Sequence, residues 1–80
     1  MADPLVAKVE SLLIERLDVP QEKIHLNADL KHDLGLDSFA AVELGFAVQE
    51  AFAIEVTDEE MTSVVTIADL VEAVRKKVHD

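Results

Sequence analysis

Residues 33–52 read DLGLDSFAAVELGFAVQEAF, a short turn-forming segment followed by fifteen residues of helical pattern. From Ser38 onward apolar side chains recur at helical spacing, which predicts a helix from about Ser38 to Phe52. At about 100° per residue, Leu44, Val48 and Phe52 form one stripe, with Ala41 and Gly45 beside it. That stripe is the expected core face. Phe39, Val42 and Phe46 fall on the far side, interleaved with Glu43 and Glu50. Two of the chain's three phenylalanines therefore lie among acids on a face expected to be wet. An aromatic patch rimmed by charge of one sign reads as a docking surface. A helix sandwiched on two sides, with both rings in the core, gives the same pattern. Gly45 stands in mid-helix and costs roughly 1 kcal/mol of helix propensity.

Ser38 sits where this helix begins. A helix N-terminus presents free N–H groups and a positive dipole end, both favourable to a phosphate. Gly35 permits a sharp or left-handed turn before it, anchored by Leu34 or Leu36. The plain alternative is that Ser38 is the N-cap, or that Asp37 caps and Ser38 is the first helical residue. Unlike Thr57 and Thr66, Ser38 has no acid or amide three residues on.

Working outward, Asp3-Pro4 is an N-cap residue followed by proline at the first helical position. Leu5, Val6, Val9, Leu12, Leu13 and Leu17 then recur at helical spacing until Asp18-Val19-Pro20 stops them. Residues 18–36 carry no sustained period. They predict a loop of about nineteen residues pinned by Ile24, Leu26, Leu30 and Leu34, longer than most connections. Ile54-Glu55-Val56 alternates, but one short strand would have no partner. Thr57-Asp58-Glu59-Glu60 is a capping box opening a short helix to about Ser63. Thr66-Ile67-Ala68-Asp69 opens another, with Asp where Glu is usual. Its apolar residues are Ile67, Leu70, Val71, Val74 and Val78, and Arg75 to Lys77 favour its C-terminal dipole. The expected architecture is all-α: one domain over 1–80, a small four-helix bundle with a short third helix and a long loop between the first two helices.

Half of the 80 residues are apolar and 30% are charged, enough to build a core. No apolar run approaches a bilayer span, and Asp3, Lys8 and Glu10 interrupt any signal-peptide pattern. There is no cysteine, which excludes disulfides, thiolate metal sites and a cysteine nucleophile. The net charge of −10 is concentrated. Residues 32–74 hold ten acids and no lysine or arginine. Such a stretch repels nucleic acid and anionic membranes and attracts basic surfaces. It also keeps a small domain soluble.

Asp33-Leu34-Gly35-Leu36-Asp37-Ser38-Phe39, followed by Val42-Glu43-Leu44, resembles the D-L-G-x-D-S-L…V-E-L attachment motif of acyl carrier proteins. Phe52 to Glu60 and Val65-Thr66-Ile67 are similar to the same family, so the resemblance covers nearly the whole chain. It implies a stand-alone, type II carrier and not an enzyme. It implies that Ser38 accepts 4′-phosphopantetheine from coenzyme A through a separate, magnesium-using phosphopantetheinyl transferase. The absent cysteine fits, because the cofactor supplies the thiol. Acyl groups are then held as thioesters on a swinging arm, for fatty-acid or related lipid or polyketide synthesis. The acyl chain folds back between the helices in many members. Partners in the family, among them acyl-transfer, condensing and reducing enzymes, present basic patches. That puts Asp37, Glu43 and Glu50 in the docking rim, with Phe39, Val42 and Phe46 as apolar contacts and Val56 and Met61 extending the patch. A cytoplasmic monomer is expected, with no nucleic-acid partner and no membrane insertion.

Three departures from the family pattern bear on the partners. Phe39 replaces the usual leucine. Gln49 and Ala51 thin the acid cluster. Gly45 replaces a bulky aliphatic residue and leaves room for an atypical acyl chain in the core.

Other classes remain open at this point. A peptidyl or D-alanyl carrier would use the same serine. An unmodified acidic helical interaction domain would share fold and charge. A calcium loop begun at Asp29 misplaces its glycine and glutamate. Gly35 to Phe39 is not the hydrolase G-x-S-x-G. His25, His32 and His79 show no metal or triad spacing, and no metal site is expected.

Overall fold

Asp3 caps the first helix as its position predicts. In the computed structural model, which describes residues 3–78, its carboxylate accepts the Leu5 amide at 3.0 Å and Pro4 opens helix α1, Pro4–Leu17. Asp18 ends it in the left-handed region (φ 55°), where the Val19 amide bonds back to the Leu13 carbonyl at 3.2 Å. The Asp18 and Val19 amides thus both fold back onto the Leu13 carbonyl, and the left-handed Asp18 stops the helix. Val9, Leu12 and Leu13 are buried, with Leu5, Val6 and Leu17 packed around them.

Helix α2 runs Ser38–Phe52, as expected, and touches α1, α3 and α4. Its core face differs in detail from the helical wheel. Leu44, Gly45, Ala47 and Val48 are buried, while Phe52 is only half-buried. The Phe52 ring instead lies under Lys8 of α1, with Nζ 5.0 Å from its centroid. Phe39 (79% exposed) and Phe46 (61%) stand clear of the core, so α2 is not sandwiched on that side.

Helix α3, Asp58–Ser63, opens on the complete capping box: the Thr57 hydroxyl accepts the Glu60 amide at 3.2 Å, and Glu60 Oε1 accepts the Thr57 amide at 3.0 Å. Helix α4, Ile67–Val78, opens on the same device with Asp69 in place of glutamate. The Asp69 carboxylate accepts the Thr66 and Val65 amides, and Thr66 Oγ1 accepts the Asp69 amide at 3.2 Å. Ile67, Leu70, Val71 and Val74 are buried, but Val78 is exposed, because the helix runs past the core by its last turn. His79 lies outside the described residues.

The segment between α1 and α2 is more ordered than its lack of period suggests. A single 3₁₀ turn spans Gln21–Lys23. Val19, Ile24, Ala28, Leu30 and Leu36 are buried, whereas Leu26 is exposed and Leu34 half-buried. The segment is also stitched to the α3–α4 connection. An antiparallel bridge pairs Asp29 with Thr66. Around it the Leu30 amide bonds to Val65 O at 2.9 Å, Ile67 N to Ala28 O at 3.2 Å and Ala68 N to Leu26 O at 2.9 Å. Buried backbone groups must find partners somewhere, and these find each other across the chain. Ile54 to Val56 form no strand.

Ala53 closes α2 at φ 54°, a left-handed conformation that a Cβ disfavours by roughly 1–2 kcal/mol. It is exposed. Ala53→Gly is therefore expected to stabilise the domain by about 0.5–1 kcal/mol, the residue's own entropy cost offsetting part of the gain. Urea titration would show a higher midpoint at unchanged slope; a lower midpoint would contradict the assignment.

Four exposed or half-exposed carboxyls are held below their ordinary range. The Arg75 guanidinium and then the Leu5 amide lower Asp3; the His32 amide and side chain lower Asp29. Lys77 and then the Thr57 amide lower Glu60, and the Thr66 and Val65 amides lower Asp69. A depressed folded-state pKa gives stability that is present above the ordinary values of 3.8 for Asp and 4.5 for Glu and is lost as pH falls through the folded value. The melting temperature is expected to fall steeply on acidification below those values. Asp69→Asn, which keeps an acceptor but no titrating charge, should show a shallower fall. Identical acid slopes for the two proteins would contradict a role for Asp69.

Candidate functional site: the amino end of helix α2

The turn before α2 is built by four residues with separate roles. Asp29 Oδ1 accepts the Lys31 and His32 amides, both at 2.9 Å, and Asp33 Oδ2 accepts the Asp29 amide at 2.7 Å. These carboxylates are engaged by the loop's own backbone. Among the described residues no group of three or more His, Asp or Glu is placed to hold a metal. Gly35 then takes φ +71°, where an L side chain would be strained. Leu36 is buried, and its amide bonds to Leu30 O at 3.0 Å, so Leu36 is the anchor. Leu34 contributes less.

This brings Asp37 and Ser38 to the surface at the helix start. Asp37 is the N-cap: its carboxylate accepts the Ala40 amide at 2.8 Å and its carbonyl the Ala41 amide at 2.9 Å. Ser38 is the first helical residue, and it is exposed. Its hydroxyl has no hydrogen-bond partner among the described residues. The Ser38 and Phe39 amides likewise find no acceptor there. An accessible hydroxyl beside two free amides at the positive end of a fifteen-residue helix suits a phosphodiester.

The sequence-predicted rim residues do not all gather. Phe39, Val42, Glu43 and Phe46 line one shallow hollow of ≈ 210 Å³ on the outer face of α2. Glu50 lies farther along the helix, its Oε1 3.9 Å from Arg16 of α1. Met61 is half-buried between α2 and α3, and with Ser38, Ala41 and Val42 it lines a second crevice of ≈ 240 Å³. Val56 is half-buried and lines neither.

Two residues have structural roles that sequence reasoning missed. The Gln49 side chain accepts the Val56 amide at 3.2 Å, and its carbonyl accepts the Ile54 amide at 3.2 Å. It therefore fixes the α2–α3 connection, beyond diluting the acid row. Lys77 Nζ lies 2.9 Å from Glu60, joining α3 to α4. The first signal is a lone amide in an acidic helix; the second has no local signal.

The family profile described as "Phosphopantetheine attachment site" matches residues 7–74. A protein of Buchnera aphidicola subsp. Acyrthosiphon pisum (strain Tuc7), named acyl carrier protein, is 39% identical over 70 residues, covering 88% of each chain. Its counterpart from strain 5A is 37% identical over the same share. The crystal structure of an acyl carrier protein from Thermotoga maritima superposes with a TM-score of 0.82 at 28% identity, covering 94% of this chain and 87% of that one.

Proposed function

The chain belongs to the acyl carrier protein family, which carries covalent 4′-phosphopantetheine, and from that premise we propose that Ser38 is the attachment point. Members of the family are carriers and not enzymes, and they meet a phosphopantetheinyl transferase and biosynthetic enzymes. When bound, the group supplies the terminal thiol on which acyl chains are held. The observation that carries the assignment is the exposed Ser38 hydroxyl at the first position of α2, without a hydrogen-bond partner among the described residues. Gly35 turns the chain toward it, Leu36 anchors the turn, and Asp37 takes over the capping, leaving the serine free.

The outer face of α2 is the proposed docking surface. Phe39, Val42 and Phe46 offer apolar contacts, and Asp37, Glu43 and Glu50 offer the charge that steers basic partners. Exposed pairs are individually worth little, which suits a shuttle that must let go. Met61 and Val56 mark the edge toward α3. The cargo proposed is an acyl intermediate of fatty-acid or a related lipid or polyketide synthesis, carried by a cytoplasmic monomer. Among the described residues no helix is long and apolar enough to cross a membrane.

Intact-mass spectrometry tests the assignment. After incubation with coenzyme A, magnesium and a broad-specificity transferase, one phosphopantetheinyl increment is expected. A mass unmoved by several such transferases would leave an unmodified interaction domain as the better reading.

A further inference from the structure

The surface around Ser38 holds one cation. Lys31 lines the same crevice as Ser38, and the only other charged residue in that lining is Asp58. Residues 32–74 contain no lysine or arginine, so Lys31 is the last base before the serine and none follows until Arg75. The other bases are placed elsewhere. Arg16, Arg75 and Lys77 pair with Glu50, Asp3 and Glu60, and Lys8 lies over the Phe52 ring. Lys23 and Lys76 line separate hollows, one on the α1–α2 segment and one between α3 and α4. The Lys31 ammonium enters no ion pair among the described residues. Its backbone, by contrast, is fixed. The Leu30 side chain before it is buried, the Leu30 amide bonds to Val65 O, and the Lys31 amide donates to Asp29 Oδ1 at 2.9 Å. A flexible four-carbon stem on a fixed backbone can reach without disturbing the fold.

A phosphodiester on Ser38 brings a full negative charge to a place where Asp37 and Asp58 already stand, and like charges repel. We propose that Lys31 is a positioning residue for the prosthetic group: its ammonium pairs with the phosphodiester on Ser38 and holds the root of the arm on the α3 side of α2. This rests on Ser38 being the attachment point. The outer hollow of Phe39, Val42 and Phe46 has no lysine in its lining, so the arm's root is kept off the face proposed to meet partners. An exposed pair of this kind is weak and screened by salt. It therefore biases the arm without fastening it.

The test uses the full chain in its apo and holo forms. The Lys31 ε-methylene resonance is assigned by its loss in Lys31→Gln. It is expected to move between apo and holo protein at low salt, and to return most of the way at about 1 M salt, where the Debye length is about 3 Å. Cross-peaks from the first methylene protons of the arm should reach Lys31 and not the Phe46 ring. Loading should lower the melting temperature of Lys31→Gln by about 1–8 °C more than that of the wild type, and Lys31→Arg, which keeps the charge, should behave as the wild type does. If a variant does not fold or load, the wild-type resonance decides alone. A Lys31 resonance identical in apo and holo protein, or arm cross-peaks to Phe46 in place of Lys31, overturns the pairing and leaves Ser38 standing. So does a Lys31→Gln protein whose melting temperature responds to loading as the wild type's does. A chain that takes no prosthetic group at Ser38 overturns both.

Discussion

Ser38→Ala is expected to fold like the wild type and to carry no phosphopantetheine at all. The two halves of that expectation have different physical sources. The fold is spared because Asp37 caps α2, with its carboxylate on the Ala40 amide. The Ser38 hydroxyl holds nothing among the described residues, and alanine is well tolerated in a helix. A change of stability within about 0.5 kcal/mol follows. The modification is lost because the phosphodiester needs a hydroxyl at that place. The other serines do not offer one: Ser11 lies within α1, and the Ser63 hydroxyl donates to Glu59 O at 3.2 Å. Intact mass and a thermal melt on the same sample read both halves. An increment on the alanine variant would move the attachment point elsewhere. A collapsed melt would mean that Ser38 is structural.

Leu44→Ala should have the largest effect on stability. Leu44 is fully buried, six residues along the same helix, on the face that meets the rest of the core. Removing a buried leucine side chain costs about 2–5 kcal/mol in lost transfer energy and cavity. A domain of this length has on the order of 4–12 kcal/mol in total. The melting temperature should fall on the order of 10–30 °C. Phe46→Ala removes a larger apolar side chain from the same helix. It should cost less than about 1 kcal/mol, because that ring is 61% exposed. Urea midpoints of the two variants make the comparison. Equal losses would mean that Phe46 is packed in solution, and the outer face of α2 would then not be available for docking.

The contrast between Leu44 and Phe46 also shows where periodicity succeeds. Two residues apart on a helix, side chains point about 200° from each other, so the wheel alone separates them. The caps were equally legible. Asp3 with Leu5, Thr57 with Glu60, and Thr66 with Asp69 each act within four residues, and their chemistry is carried by the types at those spacings. The proposed attachment motif is of the same kind, since Gly35, Leu36, Asp37 and Ser38 are contiguous.

Phe52 shows where the wheel stops. Its angle matches the core stripe, but its position near the end of α2 leaves it beside Lys8 of α1, and only the placing of α1 decides that. Val78 is the same case at the end of α4. The bridge between Asp29 and Thr66, the Lys77–Glu60 pair and the seating of Met61 on Gly45 join residues 16 to 37 positions apart. No spacing rule reaches across such separations. Local composition therefore dictated the helices, their caps and the exposed serine, because those depend on backbone groups within about one turn. Which apolar residues ended up inside, and which one fills the gap over a glycine, was left to the packing of α1, α3 and α4 around α2, because burial belongs to neighbours that the chain brings together only when folded.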